Sequence, residues 1–160
     1  MEDKNKQPKG FTLIELLIVI TIISILTAVI FVAVDPATRF ADARNAVRRQ
    51  EVNSILESLL KYQIDHRGSL PNTIDAVTAS SQVLGTGLAC DSGCTPAGTT
   101  VANCLDLSTY LVDEYLADIP VDSLDGTTVM TNYYVNKTAN NRVRVGSCSA
   151  ENSATIFAQR

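Results

Sequence analysis

Twenty-four consecutive residues, Phe11 to Val34, are apolar apart from Thr12, Glu15, Thr21, Ser24 and Thr27. Seventeen of them are Phe, Leu, Ile or Val. As a helix the run spans roughly 36 Å, against about 30 Å of hydrocarbon in a bilayer. At about −0.5 kcal/mol each, these side chains outweigh the roughly 3 kcal/mol that a charge at mid-membrane costs. Glu15 stands near the end of the run, where the cost is lower. A lone carboxylate in such a segment marks function by default.

Two plainer readings fit less well. A cleaved signal peptide has a core of about 7–15 residues and a small-x-small cleavage site. This run is longer, and no convincing Ala-x-Ala site follows it. A plain single-pass anchor, with Glu15 reaching for the interface, leaves the placing of Gly10 and Phe11 unexplained.

The chain has 13 basic and 17 acidic residues, a net charge of −4. Without residues 1–10, which hold Lys4, Lys6, Lys9, Glu2 and Asp3, it has 10 basic and 15 acidic residues and a net charge of −5. That balance disfavours general nucleic-acid binding, which needs a cationic face. Basic residues flank the run on both sides, Lys4, Lys6 and Lys9 before it and Arg39, Arg44, Arg48 and Arg49 after it. The positive-inside rule therefore does not orient the segment. The cysteines do. Cys90, Cys94, Cys104 and Cys148 all follow the run, and an even number in a loop-rich exported region favours disulfides outside the cytoplasm. Three pairings are open. The reading leans to Cys90–Cys94 with Cys104–Cys148. Zinc is disfavoured, because the C-x3-C spacing is irregular and the single histidine, His66, lies far upstream.

The residues Lys9-Gly10-Phe11-Thr12-Leu13-Ile14-Glu15-Leu16-Leu17-Ile18-Val19-Ile20 resemble the processing and assembly signal of the type IV prepilin family, which includes the type II secretion pseudopilins. The resemblance covers residues 1 to about 35. It implies cleavage after Gly10 by a membrane aspartyl prepilin peptidase on the cytoplasmic side. It also implies N-methylation of the new terminus, Phe11, and an assembly role for Glu15. Physical reasons stand beside it. Glycine before the cut leaves room for an extended backbone in a protease cleft. Glu15 lies one helical turn from Phe11, so its carboxylate reaches an α-ammonium there, or that of a neighbouring subunit. Such a pair would fix axial register. Family members usually carry a proline nearer the middle of the apolar segment; here the first proline after the leader is Pro36.

Asp35-Pro36 either opens a second helix, with Asp35 as cap and Pro36 in the first turn, or kinks one continuous helix over residues 11–66. From Val52 the apolar positions Ile55, Leu56, Leu59, Leu60 and Ile64 recur at helical spacing. Asp42, Arg44, Arg48 and Arg49 read as a solvated face. Gly68 and Pro71 end the helix. Residues 67–104 read as a long loop, with a short helix near Thr73–Ser81, tied by disulfides. Asp106 caps a helix running to about Ala117. Thr127–Asn136, Arg142–Cys148 and Ala154–Ala158 read as a three-stranded antiparallel meander, with Asn140-Asn141 as a turn. The expectation is an α+β, pilin-like fold, a long N-terminal helical spine packed on a small antiparallel sheet. Its parts are a basic leader (1–10), a transmembrane and assembly helix (11–34), an amphipathic half of the spine (35–66) and a disulfide-tied head (67–160).

No catalytic constellation is visible: no phosphate-binding glycine loop, HExxH or nucleophile elbow. No enzyme activity and no cofactor are expected. His66 reads as a polar residue at a helix end. Asp122 and Asp125 are the candidates for a calcium ion, in a stretch that partly resembles that of major pseudopilins; a plain acidic turn accounts for them better. Asn136-Lys137-Thr138 matches a glycosylation sequon. The leading function is a filament subunit, with a secretion pseudopilin, a DNA-uptake pilin and a non-polymerising membrane-anchored binding domain as alternatives. The resemblance implies as partners further copies and minor pilins, the prepilin peptidase, an inner-membrane assembly platform and lipid, with nucleic acid only for an uptake role. The place implied is the cytoplasmic membrane, with the C-terminal domain outside, then a surface filament or periplasmic pseudopilus.

Overall fold

The computed structural model describes residues 10–90, 94–140 and 142–160. The chain forms two compact units, Met1–Arg39 and Phe40–Arg160.

The first unit is dominated by α1, Leu13–Val34, none of whose side chains is buried. Its 22 residues, with a mean hydropathy of 3.1 over the most apolar 18, make it long and apolar enough to cross a membrane. The three hydroxyls within it turn back on their own helix. Thr21, Ser24 and Thr27 donate to the carbonyls of Leu17, Ile20 and Ile23 at 2.8, 2.7 and 2.8 Å. Each polar group is thereby satisfied without water, as a hydrocarbon environment demands. The helix stops at Asp35, which takes the left-handed conformation (φ 42°, ψ 74°). Pro36 then opens α2, Pro36–Asp65. The Asp35 carbonyl accepts from the Arg39 amide at 3.3 Å, and its carboxylate accepts from the Thr38 hydroxyl. Of the two readings of Asp35-Pro36, the structure takes the second helix with a proline in its first turn. The single uninterrupted helix over residues 11–66 is not formed.

In the second unit α2 lays Val52, Ile55, Leu56 and Leu59 on the core, all at most 3% exposed. They meet Leu84, Leu105, Leu111, Tyr133, Val135, Val143, Val145 and Ile156. After Asp65 the chain turns through Arg67 (φ 56°) and Gly68 (φ 88°), whose amide bonds to the Gln63 carbonyl at 2.6 Å. This is a helix end of the kind glycine favours.

The sheet has five strands in the order β2-β1-β3-β4-β5. They are β1 (Ser80–Val83), β2 (Thr99–Thr100), β3 (Tyr133–Lys137), β4 (Val143–Ser147) and β5 (Phe157–Gln159). β3, β4 and β5 form the expected antiparallel meander, with Tyr133 opposite Ser147 and Val145 opposite Ala158, but the third strand starts at Phe157 and not at Ala154, because Glu151–Ala154 close a turn (3.0 Å). Two strands more were not foreseen. β1 pairs antiparallel with β3, and β2 pairs parallel with β1, so the sheet is mixed. β1 lies in the stretch read as loop. Of its two buried residues one is Ser81, whose hydroxyl donates to the Ala97 carbonyl at 3.2 Å. A buried serine satisfied from sixteen residues away leaves no apolar alternation to read. The helix expected near Thr73–Ser81 is absent.

Two other boundaries moved for backbone reasons. β3 starts at Tyr133 and not at Thr127, because Thr127–Met130 close a turn (2.8 Å) and Asn132 has φ 64°. The helix expected over residues 106–117 is only α3, Ser108–Leu111. Val112 is extended and Asp113 has φ 73°, while the Asp106 carboxylate accepts from the Ser108 amide at 2.9 Å. Of the Asn140-Asn141 turn, Asn141 lies outside the described residues; around it the Thr138 amide reaches the Arg142 carbonyl at 2.8 Å.

Candidate processing and assembly site

Residues 1–9 lie outside the described residues. The described part of the signal begins at Gly10. A β-carbon there would meet no atom within 4 Å, so the fold itself does not require glycine at this position.

Thr12 caps α1. Its hydroxyl accepts from the Glu15 amide at 3.3 Å, and the Glu15 carboxylate accepts from the Thr12 amide at 3.4 Å. This reciprocal capping box satisfies two amides that a helix start leaves bare. It puts the Glu15 carboxylate against the backbone one residue beyond Phe11, itself 82% exposed. Sequence reasoning had considered Glu15 for its charge alone. The Thr-x-x-Glu spacing was the signal for this second role.

A second polar cluster lies in the Phe40–Arg160 unit, and there the reading of α2 needs correcting. Arg48 is not on a solvated face: its side chain is 1% exposed. Arg48 donates through Nε and Nη2 to the Asp122 carboxylate, at 2.5 and 3.1 Å, and through Nη1 to Glu151 at 2.7 Å. Arg44 donates to the same Glu151 carboxylate from Nε at 2.7 Å and Nη2 at 2.5 Å. Asn45 clamps the Glu151 backbone, donating to its carbonyl at 2.9 Å and accepting from its amide at 3.0 Å. Only Asp42 and Arg49 of the four charges are exposed as expected.

The electrostatics follow from these contacts. Hydrogen bonds from Arg44, then from Arg48, bring the Glu151 carboxyl down to about 2. Burial pushes the Asp122 carboxyl up, but the Arg48 guanidinium and the Leu124 amide outweigh it and hold Asp122 below the usual range. The fully buried Tyr133 donates its hydroxyl to Glu51; burial, then that carboxylate, raises its phenol.

The two calcium candidates, Asp122 and Asp125, already have hydrogen-bond partners. One Asp122 oxygen is spent on Arg48 and the other on Arg48 and the Leu124 amide. Asp125 is exposed, and its Oδ1 accepts from Asn132 at 2.9 Å and Ser149 at 3.0 Å. A cation at Asp122 would have to displace a guanidinium. His66, at the end of α2, stacks on Tyr62 with centroids 3.8 Å apart. Asn136 of the sequon lies in β3, its amide donating to Ser81 at 3.2 Å.

The cysteines form two disulfides, Cys90–Cys104 and Cys94–Cys148, with Cα atoms 5.2 and 4.6 Å apart. The favoured pairing of Cys90 with Cys94 and Cys104 with Cys148 is wrong. The sheet sets the outcome: the Cys148 amide, just past β4, bonds to the Asn132 carbonyl before β3, while Cys104 is tied to Gly87 at 3.0 Å. Cys148 is thereby held on the sheet and Cys104 beside the Gly87–Cys90 segment.

A family model, the prokaryotic N-terminal methylation motif, matches residues 5–31. The chain thus carries the N-terminal signal of type IV prepilins and pseudopilins, over its first fifth. No curated protein and no solved structure matches the chain.

Proposed function

We propose that this prepilin-type chain is a structural subunit of a type IV pilus or pilus-like filament. It is cleaved after Gly10 by a prepilin peptidase, N-methylated on Phe11, and polymerised through α1. The observation that carries the reading is a methylation motif over residues 5–31 placed on a 22-residue apolar helix with no buried side chain. A surface of that kind requires lipid or other copies of itself to cover it.

Cleavage supplies the charge that Glu15 lacks. Before it, among the described residues, Glu15 holds the Thr12 cap; after it, an ammonium stands at Phe11, next to that cap. The same carboxylate then meets the α-ammonium of its own chain or of an incoming neighbour, in a low-dielectric surrounding where a pair is strongly preferred to either charge alone. Before assembly the chain is a single-pass protein of the cytoplasmic membrane with its C-terminal domain outside. Its partners are other copies, minor pilins, the assembly platform and lipid. The structural role assigned to the Phe40–Arg160 unit follows from the methylation motif at the start of the chain.

Two measurements test this. Mass spectrometry of the native protein should find N-methyl-Phe11 as the terminus; an intact Met1 on surface-exposed protein refutes processing. Glu15→Leu should insert in the membrane at normal levels yet give no filaments by electron microscopy. Normal filaments from that variant refute the assembly role.

A further inference from the structure

The two disulfides interlace. Cys90 and Cys104 close a loop that contains Cys94, and Cys94 leaves that loop to reach Cys148, 54 residues on. In chain order the first two thiols are Cys90 and Cys94, four positions apart, and they are not partners. The other short closure, Cys94 with Cys104, is also non-native. Cys94 has no correct partner until the β3–β4 hairpin has formed and Cys148 is held beside Asn132, its amide 2.8 Å from that carbonyl. Once the unit is packed, Cys90 and Cys94 are 0% and 3% exposed, against Val83 and Tyr134. Packing and correct pairing are therefore coupled: a Cys90–Cys94 or Cys94–Cys104 bond has to be broken before this core can close.

We infer that this chain is a substrate of a thiol–disulfide isomerase, and that an oxidant alone does not bring it to its native pairing. The inference rests on the connectivity and not on the filament reading. The exchange closes without net oxidation. The isomerase thiolate attacks the Cys94 sulfur of a Cys90–Cys94 bond, forming a mixed disulfide and releasing the Cys90 thiolate. The Cys90 thiolate attacks the Cys104 sulfur of Cys104–Cys148, forming Cys90–Cys104 and releasing the Cys148 thiolate. The Cys148 thiolate attacks Cys94 in the mixed disulfide, forming Cys94–Cys148 and returning the isomerase thiolate. Three bonds form and three break, and no external electron acceptor is consumed.

The test is oxidative refolding of the reduced full chain in detergent, with bonds mapped by mass spectrometry of a non-reduced digest. One arm holds a disulfide oxidant without free thiol. A second adds a thiol–disulfide isomerase, and a third adds the same isomerase with its active-site cysteines replaced. Statistical pairing of four cysteines is native about one time in three. The expected result is at most that fraction in the first and third arms, Cys90–Cys94 being the main error, and a rise of about threefold or more in the second. Complete native pairing with the oxidant alone overturns the proposal. So does equal rescue by the cysteine-free isomerase, or native pairing missing in every arm.

Discussion

Arg48 and Asp122, 74 residues apart in the chain, form a bidentate ion pair with side chains 1% and 0% exposed. The pair joins α2 to the turn that precedes β3. Glu151, on the loop before β5, completes it from the other side. Three segments distant in sequence are thus held at one guanidinium.

Removing one partner of a buried pair leaves an uncompensated charge. Arg48→Met should therefore destabilise the Phe40–Arg160 unit by about 3–5 kcal/mol. Adding Asp122→Asn, which removes the orphan charge but keeps an oxygen for the Leu124 amide, should recover a substantial part. Urea denaturation of the two variants checks this. A double variant as unstable as the single one contradicts it.

Acid should loosen the same cluster. The Glu151 carboxyl is lowered from 4.5 to about 2, so its stabilisation is complete above the unfolded value. It is lost as pH falls from about 4.5 through about 2. Asp122 is lowered too and adds in the same direction. Thermal midpoints followed by circular dichroism should drop across that window. Glu151→Gln should start lower at neutral pH and fall less steeply. Parallel curves for the two proteins would rule out Glu151 as a contributor.

The helix start offers a separate test. Thr12→Ala removes the acceptor for the Glu15 amide. A lost cap costs about 1 kcal/mol, so amides of the first turn of α1 should exchange roughly fivefold faster in detergent micelles. Hydrogen exchange by NMR reads this directly, and unchanged protection argues that the box is not formed.

The two disulfides should not be equal. By loop entropy, losing the bond that closes 54 residues costs roughly 4 kcal/mol, and losing the one that closes 14 costs roughly 3. Cys94→Ser with Cys148→Ser should therefore lower the unfolding midpoint more than Cys90→Ser with Cys104→Ser. The reverse order would contradict the chain-entropy account.

What could be read in advance was local. The apolar run needed only its composition and length, and α1 occupies all but its first two residues. The Val52–Leu59 stripe needed only the helical period, and it is the stripe that meets the core. Alternation identified β3 and β4 for the same reason. The Thr12-x-x-Glu15 box is equally local, a reciprocal cap between residues three apart. Arg48 was beyond such reasoning. On the helix it looks like its neighbours Arg44 and Arg49, and nothing within a turn of it says that a carboxylate waits 74 residues on.

By itself, then, the sequence determined the membrane-length helix, the signal at its start, the amphipathic stripe and the central hairpin, because each depends on residues within a few positions of one another. The tertiary structure alone decided the left-handed break at Asp35, the strands β1 and β2, the burial of Arg48 and the interlaced disulfides. Three of those four depend on partners that only folding brings together: a serine satisfied across the sheet, an arginine neutralised from two distant loops, a cysteine waiting for the β3–β4 hairpin. At Asp35 local chemistry allowed both a kink and a break, and the folded backbone took the break.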